Sequence, residues 1–99
     1  MPPSRSEVMR ASTDAVRAIC FATAAALDRS RRASDPDARK AAAERNALLT
    51  PVAKAFSTDI GNEVASIGVQ VHGGMGFVEE TGAAQFMRDV RIAAIYEGT

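Results

Sequence analysis

Residues 70–99 read QVHGGMGFVEETGAAQFMRDVRIAAIYEGT. A glycine cluster (Gly73, Gly74, Gly76) follows Gln70, a charged cassette (Arg88, Asp89, Arg91) comes next, and Tyr96-Glu97-Gly98-Thr99 closes the stretch. The glycines come directly after a long run of helical apolar spacing. There they can take positive φ and let backbone N–H groups approach something bulky or anionic. A glycine pair is more commonly a helix stop with a Schellman-type cap, and Gln70 with Gly73-Gly74 fits that use as well. Both uses can hold at once.

Upstream, Leu48, Val52, Ala55, Phe56, Ile60, Val64, Ile67 and Val71 recur at three- and four-residue steps, one apolar stripe leading into the glycines. Asp35 as N-cap, with Pro36 at the first helical position, starts this second helix. Pro51 lies inside it and removes a backbone hydrogen bond, yet the periodicity resumes in phase beyond it, which predicts a kink rather than two helices. Before the polar break at residues 31–35, a first helix capped by Ser4 or Ser6 runs to about Arg32. Its stripe of Val8, Ala15, Ala18, Ala22 and Ala26 adjoins a second of Met9, Val16, Ile19, Cys20, Thr23 and Leu27, and the alanines permit close helix approach. Arg10, Asp14, Arg17, Asp28 and Arg29 fall on the solvated side.

Downstream of the glycine pair, Met75-Gly76-Phe77 reads as a tight loop. A short third helix follows, with Thr81 as a cap near its start and Ala83, Ala84, Phe86, Met87 and Val90 as its buried positions. Residues 92–99 are an apolar run with a polar stop, open between helix and loop. The predicted fold is therefore all-α, an antiparallel bundle of two long helices plus a short third.

Ninety-nine residues allow one small domain with a thin core. A 46% hydrophobic and 24% charged composition is that of an ordinary soluble globular chain. The formal net charge is zero and no basic run exceeds Arg31-Arg32, which argues against nucleic acid or an anionic membrane surface as partner. No apolar run is long enough for a membrane span and the N-terminus lacks a signal-peptide core, so a cytoplasmic location is expected. Cys20 reads as a small buried hydrophobe in a reducing compartment. With one cysteine and one histidine, His72, far apart in sequence, no metal site is expected.

Three runs taken together, Gln70-Val71-His72-Gly73-Gly74-Met75-Gly76-Phe77, Arg88-Asp89-Val90-Arg91-Ile92 and Ile95-Tyr96-Glu97-Gly98-Thr99, resemble the C-terminal helical domain of the acyl-CoA dehydrogenase family in order and spacing. The match is strong over this third of the chain and compatible over the rest. It implies one part, residues 1–99, of a larger FAD-dependent subunit whose N-terminal helical and middle β domains are absent here. The implied activity is α,β-dehydrogenation of a fatty acyl-CoA, with electrons passing to an electron-transfer flavoprotein, in a homo-oligomer that shares FAD across subunits. The fragment alone is expected to be inactive. An acyl-CoA oxidase is the nearest alternative, and a non-catalytic helical interaction module of the same fold is another.

Glu97, between apolar Tyr96 and flexible Gly98, could be partly desolvated, the condition under which a carboxylate becomes a stronger base. The resemblance makes Glu97 the general base that takes the thioester's α-proton. Gly98 then leaves room for the substrate, and Thr99 approaches the flavin. By the same resemblance Gln70, Val71, His72, Gly73 and Gly74 contact the FAD of a neighbouring subunit. His72 occupies a variable position of that motif, and its ring could donate to a phosphate. Arg88, Asp89 and Arg91 read as a structural cassette that fixes the loop carrying Glu97, and Glu79 and Glu80 as solvated.

Overall fold

A computed structural model of the chain describes residues 2–96. Two long helices form an antiparallel hairpin: α1 (Arg5–Arg32) and α2 (Pro36–Val71). The chain then turns through α3 (Gly74–Phe77) and a 3-10 turn (Glu79–Thr81), returns as α4 (Ala83–Arg91), and ends in a second 3-10 turn (Ile92–Ala94). All regular structure among the described residues is helical, as the sequence predicts.

Local chemistry fixes the helix starts. Ser4 and Glu7 form a reciprocal capping box: the Ser4 hydroxyl accepts from the Glu7 backbone N–H at 3.2 Å, and the Glu7 carboxylate accepts from the Ser4 N–H at 3.3 Å. Of the two candidate serines, Ser4 is thus the cap. Asp35 caps α2 by accepting from Asp37 N at 3.2 Å, and Pro36 occupies the first turn. Arg39 ties the intervening corner by donating to the carbonyls of Ala33 (2.8 Å) and Ser34 (3.2 Å). Helix α2 runs as one element through Pro51, as the in-phase periodicity requires.

Few large side chains hold the hairpin. The inward stripe of α1 is Met9, Ser12, Val16, Ile19, Thr23 and Ala26, of which Ala26 is the most enclosed at 4% exposure. Asn46 crosses the seam to donate to the Thr23 carbonyl at 3.1 Å. Helix α4 packs back along the C-terminal half of α2, where a Cβ added to Gly61 would lie 3.1 Å from Val90 Cγ2.

Several expected burials are not met. Cys20 is exposed, with its Sγ 3.6 Å from Ser57 Oγ on α2. Phe86 (74% exposed) and Met87 face outward, as do Leu48, Val52, Phe56 and Val71 of the α2 stripe. Val8, Ala15, Ala18, Ala22 and Leu27 of α1 are also exposed. The reason is architectural. The molecule measures 56 × 35 × 18 Å, a slab less than two helix diameters thick, so each long helix has a flank that no other described residue covers. Its accessible surface is 7241 Å², against roughly 5,400 Å² for a compact monomer of this mass. Apolar periodicity identified the stripes correctly but not which of them has a neighbour.

Two local readings are also corrected. Met75-Gly76-Phe77 belongs to the single-turn helix α3 rather than to an irregular loop, because Gly76 seats its backbone on α2. Thr81 does not cap α4: its hydroxyl donates to the Met75 (2.8 Å) and Val78 (3.0 Å) carbonyls, and Gly82, at φ 84°, is the N-cap.

Candidate functional site

The glycine segment closes the far end of α2. The helix stops at Val71, His72 is its C-cap, and Gly73 N donates to Gln70 O at 3.0 Å. Gly73 has φ 63° and ψ −142°, a conformation open in practice only to glycine. Because that ψ lies far from the left-handed helical region, the stop is not the Schellman cap the pair suggested. The His72 ring donates from Nδ1 to Gly68 O at 2.8 Å, since a carbonyl only accepts. Neutral His72 therefore presents Nε2 as an acceptor, and only the protonated ring could donate from it.

Gln70, Val71, His72, Gly73 and Gly74 are all exposed at this corner, and a Cβ placed on Gly73 or Gly74 would meet nothing within 4 Å. The backbone here is open to an incoming group. Gly76 is buried beneath it: a Cβ there would collide with the Val69 carbonyl oxygen and lie 2.9 Å from His72 Cβ.

The second half of the site approaches from the chain's return path. Helix α4 carries the backbone back along α2, so that residues 93–96 arrive beside Lys54. The Lys54 ammonium donates to Ala93 O at 2.9 Å and to Tyr96 O at 3.0 Å, and lies 5.8 Å from the Tyr96 ring centroid. Glu97, Gly98 and Thr99, the expected base, substrate neighbour and flavin neighbour, lie outside the described residues.

Sequence reasoning missed Lys54. The only signal was a single charge inside the apolar run Val52-Ala53-Lys54-Ala55-Phe56. Arg88, expected to brace the loop that carries Glu97, pairs with Glu79 at 3.4 Å among the described residues, and Glu79 stays largely solvated as expected. Both partners are largely exposed, and such a pair contributes at most about 1 kcal/mol. Asp89 and Arg91 form no ion pair with described residues.

The Lys54–Tyr96 end lies well away from the glycine corner. Lys54 and Gln70 are sixteen positions apart on α2, about 24 Å along a helix axis at 1.5 Å per residue. The Tyr96 end and the glycine corner therefore cannot touch the same part of one small molecule within a single chain. Between them lies an apolar cleft of about 450 Å³, lined by residues of α1, α2 and α4 that include Met9, Gly68, Phe86 and Val90. Among the described residues there is no metal-ligating cluster and no helix long and apolar enough to cross a membrane.

A profile of the acyl-CoA dehydrogenase C-terminal domain matches residues 5–99. The chain is 52% identical over 91 residues to a 3-methylmercaptopropionyl-CoA dehydrogenase of Ruegeria pomeroyi, covering 92% of this chain and 15% of that protein. It is 33% identical over 86 residues to a butyryl-CoA dehydrogenase of Syntrophomonas wolfei, covering 87% and 14%. Over 48 residues it is 42% identical to the caffeyl-CoA reductase-Etf complex subunit CarC of Acetobacterium woodii, covering 48% and 13%. The matches thus span about a seventh of the length of each of these three relatives. No solved structure matches it significantly.

Proposed function

The chain belongs to the acyl-CoA dehydrogenase family, and on that premise we propose that it forms the base-bearing C-terminal domain of an enzyme that oxidises acyl-CoA thioesters between Cα and Cβ. The match over residues 5–99, which takes in Tyr96-Glu97-Gly98-Thr99, carries this reading. Glu97 removes the α-proton, a task for a positioned carboxylate in a water-poor site. Gly98 adds no side chain beside it. FAD, when bound, supplies the hydride acceptor that makes the reaction an oxidation.

The exposed corner at Gln70–Gly74 fits a large phosphate-bearing group: its backbone is accessible, and Gly73 and Gly74 have empty space where a side chain would stand. Its distance of about 24 Å from the Lys54–Tyr96 end favours an arrangement in which each chain serves two sites, its base in one and its glycine corner in the FAD site of a neighbouring copy. The uncovered flanks of α1 and α2 offer surface for such neighbours and for the other domains of the subunit. The acyl groups named for the two dehydrogenase relatives, methylmercaptopropionyl and butyryl, support a short acyl-CoA as the first substrate to test. The Etf complex named for the third supports an electron-transfer flavoprotein as acceptor.

The test is made on the full-length protein carrying this domain. Its flavin absorbance is recorded without oxygen, acyl-CoAs are added, and wild type is compared with Glu97→Gln. Bleaching in the wild type alone supports the reading, and bleaching unaffected by the substitution refutes the role of Glu97. Hydrogen peroxide release in air from the wild type would mark an oxidase instead.

A further inference from the structure

Resting on the reading of Glu97 as base, we propose that Lys54 is a positioning residue for it: its ammonium, bonded to the Ala93 and Tyr96 carbonyls, sets where the Glu97 backbone sits. The Tyr96 carbonyl belongs to the planar peptide unit that also contains the Glu97 nitrogen and ends at the Glu97 Cα. Holding that oxygen at 3.0 Å, with Ala93 O held at 2.9 Å by the same nitrogen, fixes the plane from which Glu97 departs. The two carbonyls lie at and just beyond the Ile92–Ala94 turn, and both accept from one side-chain donor. Lys54 supplies it from the middle of the longest helix, half-buried and flanked by Ala53 and Ala55.

A point charge suits this task better than a planar fork. One ammonium carries three donors from a single nitrogen and can serve two carbonyls and the Tyr96 ring face together, whereas a guanidinium spreads its donors in a plane. The tyrosine ring lies 5.8 Å from the nitrogen, so the cation is drawn to the segment by its face as well as by its carbonyls.

The experiment compares wild type, Lys54→Met, Lys54→Arg and Glu97→Gln as full-length flavin-loaded proteins. It measures anaerobic flavin reduction per bound flavin at increasing butyryl-CoA, and amide hydrogen exchange over residues 92–99. A misplacement of about 1 Å costs on the order of 100-fold in rate, so Lys54→Met is expected to reduce its flavin about 100-fold more slowly. The butyryl-CoA dissociation constant should stay within about threefold of wild type, a split that a simple loss of folded protein would not produce. Exchange over residues 92–99 should quicken about tenfold while exchange in α1 stays unchanged, as one lost local contact implies. Lys54→Arg should fall between the two rates, and covers the case in which Lys54→Met does not load with flavin. Reduction at the wild-type rate by either variant, or unchanged exchange over residues 92–99 in Lys54→Met, overturns the proposal. If Glu97→Gln itself reduces flavin at the wild-type rate, the reading of Glu97 fails instead, whatever Lys54 does.

Discussion

Gly76 packs against the Val69 carbonyl so closely that a methyl group on it would overlap the oxygen and lie only 2.9 Å from His72 Cβ. This contact reverses the chain at the end of α2 and sends α4 back along it. Backbone cannot yield as a flexible side chain can. Gly76→Ala is therefore expected to cost about 1–3 kcal/mol or more, read as a fall in the thermal midpoint of the full-length protein.

Gly73 and Gly74 should separate by conformation. Gly73 has φ 63° and Gly74 does not share that strain, while neither position is crowded. Gly73→Ala is expected to destabilise by about 1–3 kcal/mol and Gly74→Ala to leave the thermal midpoint nearly unchanged. Equal losses at both positions would contradict the backbone assignment at this corner.

The approach of α2 to α4 can be tested by compensation. An alanine at Gly61 gains about 1 kcal/mol of helix propensity but meets Val90 Cγ2 at 3.1 Å. Gly61→Ala should be neutral or destabilising in the wild type. In a Val90→Ala background, where the opposing methyl is gone, it should stabilise by about 1 kcal/mol, measured as a double-mutant cycle in denaturant.

As an isolated polypeptide, residues 1–99 should associate. Phe21 and Leu48 are 66% and 67% exposed, and the accessible surface far exceeds that of a compact monomer. Sedimentation of the isolated chain is expected to show concentration-dependent assembly, reduced by Phe21→Lys with Leu48→Lys. A monodisperse monomer at all concentrations would contradict it.

The helix ends were legible because their signals are local. Ser4 with Glu7, Asp35 with Pro36, and Gly73 each act through a neighbour within three residues. Burial was only half legible: Phe86, Met87, Leu48 and Cys20 carry the right periodicity or chemistry for a core, but the described residues leave them exposed. Lys54 could not be read at all, since its partners lie 39 and 42 residues away and are main-chain carbonyls, which no side-chain pattern announces. Glu97 was legible only through the motif that contains it, and the separation of the Tyr96 end from Gln70 became visible only once α2 was known to be unbroken.

The most direct measurement of the central claim is anaerobic flavin reduction by butyryl-CoA in the full-length protein, comparing wild type with Glu97→Gln. Bleaching is expected in the wild type and a loss of at least about 1000-fold in the variant, the scale on which removal of a positioned proton acceptor acts. Bleaching of Glu97→Gln at the wild-type rate would place the base elsewhere and contradict it.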